Sequence, residues 1–225
     1  MDASDPTEPL PGLVELLSPH RVIVLGYYPV PDQSSIDQLR DQFGEEATAA
    51  VEEIAATFAE SGAGADSKVV FTHDRSDTID TVAVENDVDA VLTAGVVEGD
   101  LEHVLVPLQG DQNLERIVAF VETLMRESHA DATFLNVENT DDEASKGELL
   151  VWGACDQLGD DGIHLERLDR RQEKGSPGDT IVSVAEGYDL LVVGETEPSL
   201  RDRLLGAVAN RVIEDTPRPV LIVRH

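Results

Sequence analysis

Lysine is nearly missing from this chain: three occur in 225 residues, Lys68, Lys146 and Lys174. All 16 basic residues face 46 acidic ones, a formal net charge of −30. So negative a chain repels a polyanion, which excludes nucleic acid as a partner. Cysteine is scarcer still. Cys155 stands alone, so no internal disulfide forms and nothing points to an oxidising compartment. Beside Trp152 in "LLVWGACDQL", with no basic neighbour, it reads as a buried, inert thiol. Also absent is any apolar run near the ~20 residues that span a bilayer. The opening "MDASDPTEPLPG" has no apolar segment of the signal-peptide kind. The expectations are no membrane insertion, a cytoplasmic location, and a loose acidic tail over residues 1–19.

What is abundant is acid, spread over nearly every predicted helix. Self-repulsion of this size strains a compact fold at modest ionic strength. At molar salt the Debye length falls to about 3 Å and the repulsion is screened. The composition therefore reads as halophilic, adapted to a salt-rich cytoplasm, rather than as one acidic patch built for one basic partner.

Short apolar runs alternate with helical patterns. Strands are predicted at 21–28, 68–74, 89–95, 103–108, 132–138, 162–168, 189–194 and 219–223. Several are unbroken Val/Leu/Ile runs, as in strands covered on both faces. From Ser35, the residues Ile36, Leu39, Phe43, Val51, Ile54 and Phe58 fall at helical spacing, as do Leu114, Ile117, Val118, Val121, Leu124 and Met125. Such alternation predicts mostly parallel sheets with helices on both faces. "TIDTVAVENDVDAVLTAG" (78–95) echoes "TIVSVAEGYDLLVVG" (180–194), which divides the chain into a shorter unit, 20–100, and a longer one, 102–225.

Catalytic chemistry finds no foothold. The six histidines form no metal-ligand spacing, and acidic pairs such as Asp141/Asp142 and Asp160/Asp161 read as solvated loop charges. "THDR" (72–75) ends a predicted strand and reads as a pair bonding its own turn. "KGSPGD" (174–179) reads as a turn in which Ser176 or Asp179 caps the next helix. No nucleophile–base–orienter set assembles, so the expectation is no enzyme, no catalytic residue and no metal site.

The stretch "VVGETEPSLRDRLLGAVANRV" (192–212) runs from strand through polar loop to helix, the frame of a phosphate cradle. With "HVLVPLQGDQN" and the closing "RVIEDTPRPVLIV", it makes the second unit resemble a universal stress protein (UspA-like) domain. The first unit resembles the middle of such a domain, lacking its first strand and its final loop, helix and strand. The whole is similar to a tandem stress protein with a truncated front half. The resemblance implies open, mostly parallel UspA-like (Rossmann-like) sheets in tandem.

In ATP-binding members of that family, Gly-x2-Gly-x9-Gly-Ser/Thr holds the phosphates, and an Asp ending the first strand lies at the adenine end. Here Gly194 matches the first glycine and Gly206 the third. Glu197 takes the second, Ala207 the Ser/Thr position, and the loop is one residue shorter. Gln109, followed by Gly110, replaces the strand-end Asp after Val106 and Pro107. The resemblance thus implies a degenerate nucleotide site of Val106, Pro107, Gln109, Gly110, Gly194, Gly206 and Ala207. Glu195 and Glu197 would face a triphosphate, with Arg201 and Arg203 as offsets. Like charges about 4 Å apart repel by roughly 1 kcal/mol in water and ~4 kcal/mol at an effective dielectric near 20.

The expectation is therefore no resident cofactor, with ATP as the candidate ligand, and a stress-response or regulatory protein acting by association. Its partner would be another protein or a second copy, as a homodimer or a tandem pseudo-dimer. The strand "PVLIV" needs a neighbour on its open edge, and Pro219 limits pairing to one side. Two alternatives stay open: an adenine-nucleotide sensor using Gly194 to Gly206, and a partner in trans of a membrane transporter.

Overall fold

The computed structural model describes residues 1–9, 11–93, 95, 100–111, 113–138, 141–195, 211–213 and 215–224. They group into two compact units, Met1–Asp87 and Val88–His225.

The first unit is a βαβ element. Strand β1 (Arg21–Pro29) pairs in parallel with β2 (Gly64–Thr72), and α2 (Ile36–Glu60) crosses between them. Ser35 caps α2 by accepting from the Gln38 amide. The helix buries Ala47, Val51, Ile54, Ala55 and Phe58, one stripe at helical spacing, in the same core as Val24 and Phe71. A Cβ on Gly26 would sit 2.3 Å from Val51 Cγ2, so only glycine lets the helix approach so closely. Helix α3 (Arg75–Glu85) follows β2, and Lys68 bonds Glu85 at 2.9 Å.

The tail expected to be loose is ordered. Ala3 N donates to Tyr27 O at 2.8 Å and Tyr27 N to Met1 O at 3.0 Å, so residues 1–3 pair with β1. A short helix, α1 (Pro11–Leu17), adds Val14 to the core beside Ala3. The reason is the open edge of β1, whose amides need acceptors that the first residues supply.

The second unit holds a six-stranded sheet in the order β3-β8-β7-β4-β5-β6. Its members are β3 (Ala90–Thr93), β4 (His103–Pro107), β5 (Asp131–Glu138), β6 (Leu168–Lys174), β7 (Leu190–Gly194) and β8 (Val220–Val223). All pairings are parallel except β3 with β8. Helices α4 (Leu114–Glu127) and α5 (Asp141–Asp160) cover one face. On the other, α6 (Pro177–Ala185) packs with Val212 on Leu105, Leu135, Leu191 and Ile222. Cover on both sides explains why Val104, Leu105 and Val106 are all 0% exposed.

Three expectations are corrected here. The strand predicted at 89–95 belongs with the second unit, where β3 runs antiparallel to β8 from Ala90↔Val223 to Thr93↔Val220. It supplies the neighbour that the apolar last strand needs. A Cβ on Gly95 would lie 2.2 Å from Pro219 N, so the chain passes there only as glycine. The strand predicted at 162–168 is instead a 3₁₀ turn (Leu165–Arg167) leading into β6. And Ser176 makes no side-chain cap bond at α6, while Asp179 pairs with Arg211 at 3.2 Å.

Candidate functional site

The chain leaves β4 for β5 and β6 on one side, then returns to β7 on the other. Strand order therefore reverses between β4 and β7, and the carboxyl ends of strands at such a switch point are where open sheets of this type bind ligands. Val106 and Pro107 end β4 and are buried, while Gln109 and Gly110 lie exposed in the loop that follows. Gly194 is the last residue of β7. A Cβ there would lie 2.7 Å from Ile117 Cδ1 and 3.9 Å from Asn113 Cβ, so this glycine brings β7 against the start of α4. The structure thus brings Gly194 to Asn113 and Ile117. Gly206, Ala207, Glu197, Arg201 and Arg203 lie outside the described residues.

Around Gly194 the polar groups are spent on each other. Glu195 N donates to Val223 O at 2.8 Å, and Asn113 Nδ2 donates to the same carbonyl at 2.9 Å. Asn113 holds a left-handed conformation, φ 61°, at the N-cap of α4 without a side-chain cap bond. Arg116 reaches Arg224 O at 2.7 Å. The Glu195 side chain is buried, 4% exposed for the residue, and its carboxylate stands 3.7 Å from Arg224 Nε. Arg224, 29 positions away, is thus a counter-charge to Glu195.

A second polar pair lies at the end of β5. Asn136 donates to Leu108 O at 2.9 Å and so clamps the chain leaving β4 to its neighbour. Its Oδ1 lies so close to Gly147 of α5 that a Cβ there would sit 1.9 Å away. Glu138 is buried, and its Oε2 accepts no hydrogen bond among the described residues. Sequence reasoning passed over Asn113, Asn136, Glu138 and Arg224. The signal was there for two of them, since "NVE" places polar residues at alternate positions in an otherwise apolar strand.

The remaining candidates take structural parts. His73 Nδ1 lies 2.9 Å from Val30 O, and Asp74 caps α3 by accepting from Asp77 N at 3.0 Å. Burial pushes the Cys155 thiol up to about 11. No group of three His, Cys, Asp or Glu placed to hold a metal occurs among the described residues.

A reversing parallel sheet, helices on both faces and a glycine at the end of the strand beside the switch point define an α/β protein of the open-sheet, Rossmann-like class. The model of the universal stress protein family matches residues 100–224, and the chain belongs to that family. A universal stress protein from Archaeoglobus fulgidus DSM 4304 superposes with a TM-score of 0.64 at 16% identity, over 98% of this chain and 94% of that one. A functionally unknown protein from Pseudomonas aeruginosa PAO1 does so at 0.55 and 14%, over 93% and 94%. A universal stress protein solved in complex with cAMP is 25% identical over 54% of this chain and 95% of that one, with a TM-score of 0.45. No curated protein sequence matches the chain.

Proposed function

We propose that this protein acts by association with another protein, in a stress-response or regulatory role, and that its phosphate cradle no longer holds a nucleotide. One observation carries the reading: Glu195, the residue after Gly194, is buried and ion-paired with Arg224, with its amide committed to Val223. A cradle works through unpaired amides and positive potential. Here the Glu195 amide is used and its carboxylate holds Arg224. Buried Glu138 adds a second negative group at the same end of the sheet.

Titration calorimetry with MgATP in molar salt tests this reading. The expected result is no saturable heat up to about 1 mM, equivalent to binding weaker than roughly −4 kcal/mol. Micromolar binding would overturn it. Replacing Glu195 and Glu197 by glycine and Ala207 by serine is expected to raise nucleotide affinity.

The runner-up is an adenine-nucleotide sensor, favoured by the reversal of strand order between β4 and β7 with Gly194 at its edge. Micromolar MgATP binding would establish it. A transporter's soluble face is one candidate protein partner. No helix among the described residues is long and apolar enough to cross a membrane, so such contact would be in trans and visible by co-purification.

A further inference from the structure

The open edge of the first unit carries its own complement. β2 ends a two-stranded sheet, with β1 on one side and no strand on the other among the described residues. Register with β1 sets Ser67 beside Val24 and Val69 beside Gly26. Ala65, Ser67 and Val69 therefore share the α2 face, while Asp66 and Lys68 lie on the opposite one. Between α2 and this edge runs a groove of about 430 Å³. Ala55, Ala56, Ala59 and Glu52 line it from the helix, and Ala65, Asp66 and Ser67 from the strand. Ala56, Ala59 and Ser67 are exposed. Around the edge, Arg21 bonds Asp66 at 2.8 Å and Lys68 bonds Glu85 of α3 at 2.9 Å.

We propose that β2 is a self-pairing edge, at which two copies of this chain join antiparallel about a two-fold axis through Ser67. Such an axis keeps like faces together, so opposed residues are an even number of positions apart. Centred on Asp66 or Lys68, the strands set a charge against itself. Centred on Ser67, they set Asp66 of each copy opposite Lys68 of the other, and Ala65 opposite Val69. Signs then alternate across the interface, from Arg21 and Asp66 of one copy to Lys68 and Glu85 of the other. A lysine on an open edge ordinarily discourages pairing; two positions from an aspartate, it selects one register instead. The helices agree. α2 covers both strands of its sheet. At ~4.8 Å between strands its copy lies two spacings away, about 10 Å, which is a separation at which helices pack. Ala56 and Ala59 leave that seam free of bulk. Glu52 opposes the pairing, because the axis brings it toward its copy, and so does the net charge of −30 on each chain. Salt screens both. The product is a four-stranded sheet in place of a two-stranded one that is marginal alone. The inference goes beyond the association reading and names a second copy as the occupant.

Sedimentation velocity in about 1 M salt, where the Debye length is about 3 Å, is expected to show a concentration-dependent dimer. Asp66→Lys and Lys68→Asp each turn two symmetric attractions into repulsions, so either variant alone should dimerise about tenfold more weakly. Mixed one to one, the two variants are expected to recover the dimer. Ala56→Arg, which fills the seam from an exposed position, is expected to abolish it. In a Cys155→Ala background, Ser67→Cys should cross-link to its own copy under mild oxidation. Opposed residues stand about 4.5–5.5 Å apart at Cα, within the roughly 4.4–6.8 Å that a disulfide needs. Circular dichroism verifies that the variants are folded. A chain still monomeric at about 0.1 mM overturns the proposal and leaves the edge to a strand of some other protein. So does a dimer that neither the charge variants nor Ala56→Arg weakens. A monomer here leaves the association reading intact, whereas MgATP binding in the calorimeter removes that reading without altering the dimer.

Discussion

The two units of this chain solve one problem at different scales. In the second, β4 has strands on both sides and helices on both faces, and three successive residues are fully buried. In the first, β1 has one full partner strand, and only Val24 and Gly26 of its nine residues are buried. A two-stranded parallel sheet cannot bury enough apolar surface by itself. The first unit closes its deficit with borrowed pieces: the 25-residue α2, the three opening residues beside Tyr27, and the Tyr28–Phe71 and Tyr28–Phe43 stacks at 4.7 and 5.5 Å. Width of sheet, more than strand sequence, decides how much of a strand disappears from water.

That contrast can be broken or sharpened by experiment. The largest effect is expected from Gly95→Ala, whose Cβ would meet backbone atoms Pro219 N at 2.2 Å and Arg218 C at 2.4 Å. Backbone cannot yield as a side chain does, so a loss of about 3 kcal/mol or more is expected in urea denaturation. Sedimentation should also show concentration-dependent association as β8 loses β3. Gly26→Ala meets side chains rather than backbone, Val51 Cγ2 first and then Ala3 Cβ at 3.3 Å, and should cost about 1–3 kcal/mol. Adding Val51→Ala removes the opposing atom, so the double variant should lose less than the sum of the singles. If the first unit's residues alone lose hydrogen-exchange protection in Gly26→Ala, the units unfold separately; uniform loss would erase the distinction between them.

Glu195→Gln leaves the half-buried Arg224 without this counter-charge. About 1–3 kcal/mol is expected from denaturant midpoints, at the low end because the pair is 3.7 Å long. The smallest effect concerns Cys155. Its thiol is raised in the folded protein to about 11 from an ordinary 9.0, chiefly by burial. The protonated form therefore favours the fold, with its full contribution below pH ~9, lost as pH climbs toward 11. Alkylation by iodoacetamide at pH 8 should be slow in the native protein and fast in urea, with Cys155→Ala abolishing both.

How much of this was legible in the sequence follows from burial. β4, β5, β7 and β8 announce themselves as apolar runs because both their faces are covered. β6 is silent for the opposite reason: an edge strand with five charged residues among seven has no periodicity to read. β3 was visible as a strand, yet its place beside β8 was not, since an apolar run does not name its partner. Gly194 could be placed by pattern, while Glu195's pairing with Arg224 depends on two strand ends meeting in space.

The antiparallel strand from Ala90 to Thr93 has one more consequence. Because the cover for β8 is tethered within the same polypeptide, its pairing is unimolecular, with an effective local concentration that short links set at around the millimolar level. Dilution cannot uncover that edge, and a rise in expression cannot recruit it. Any response the protein makes to its own abundance must pass through some other surface.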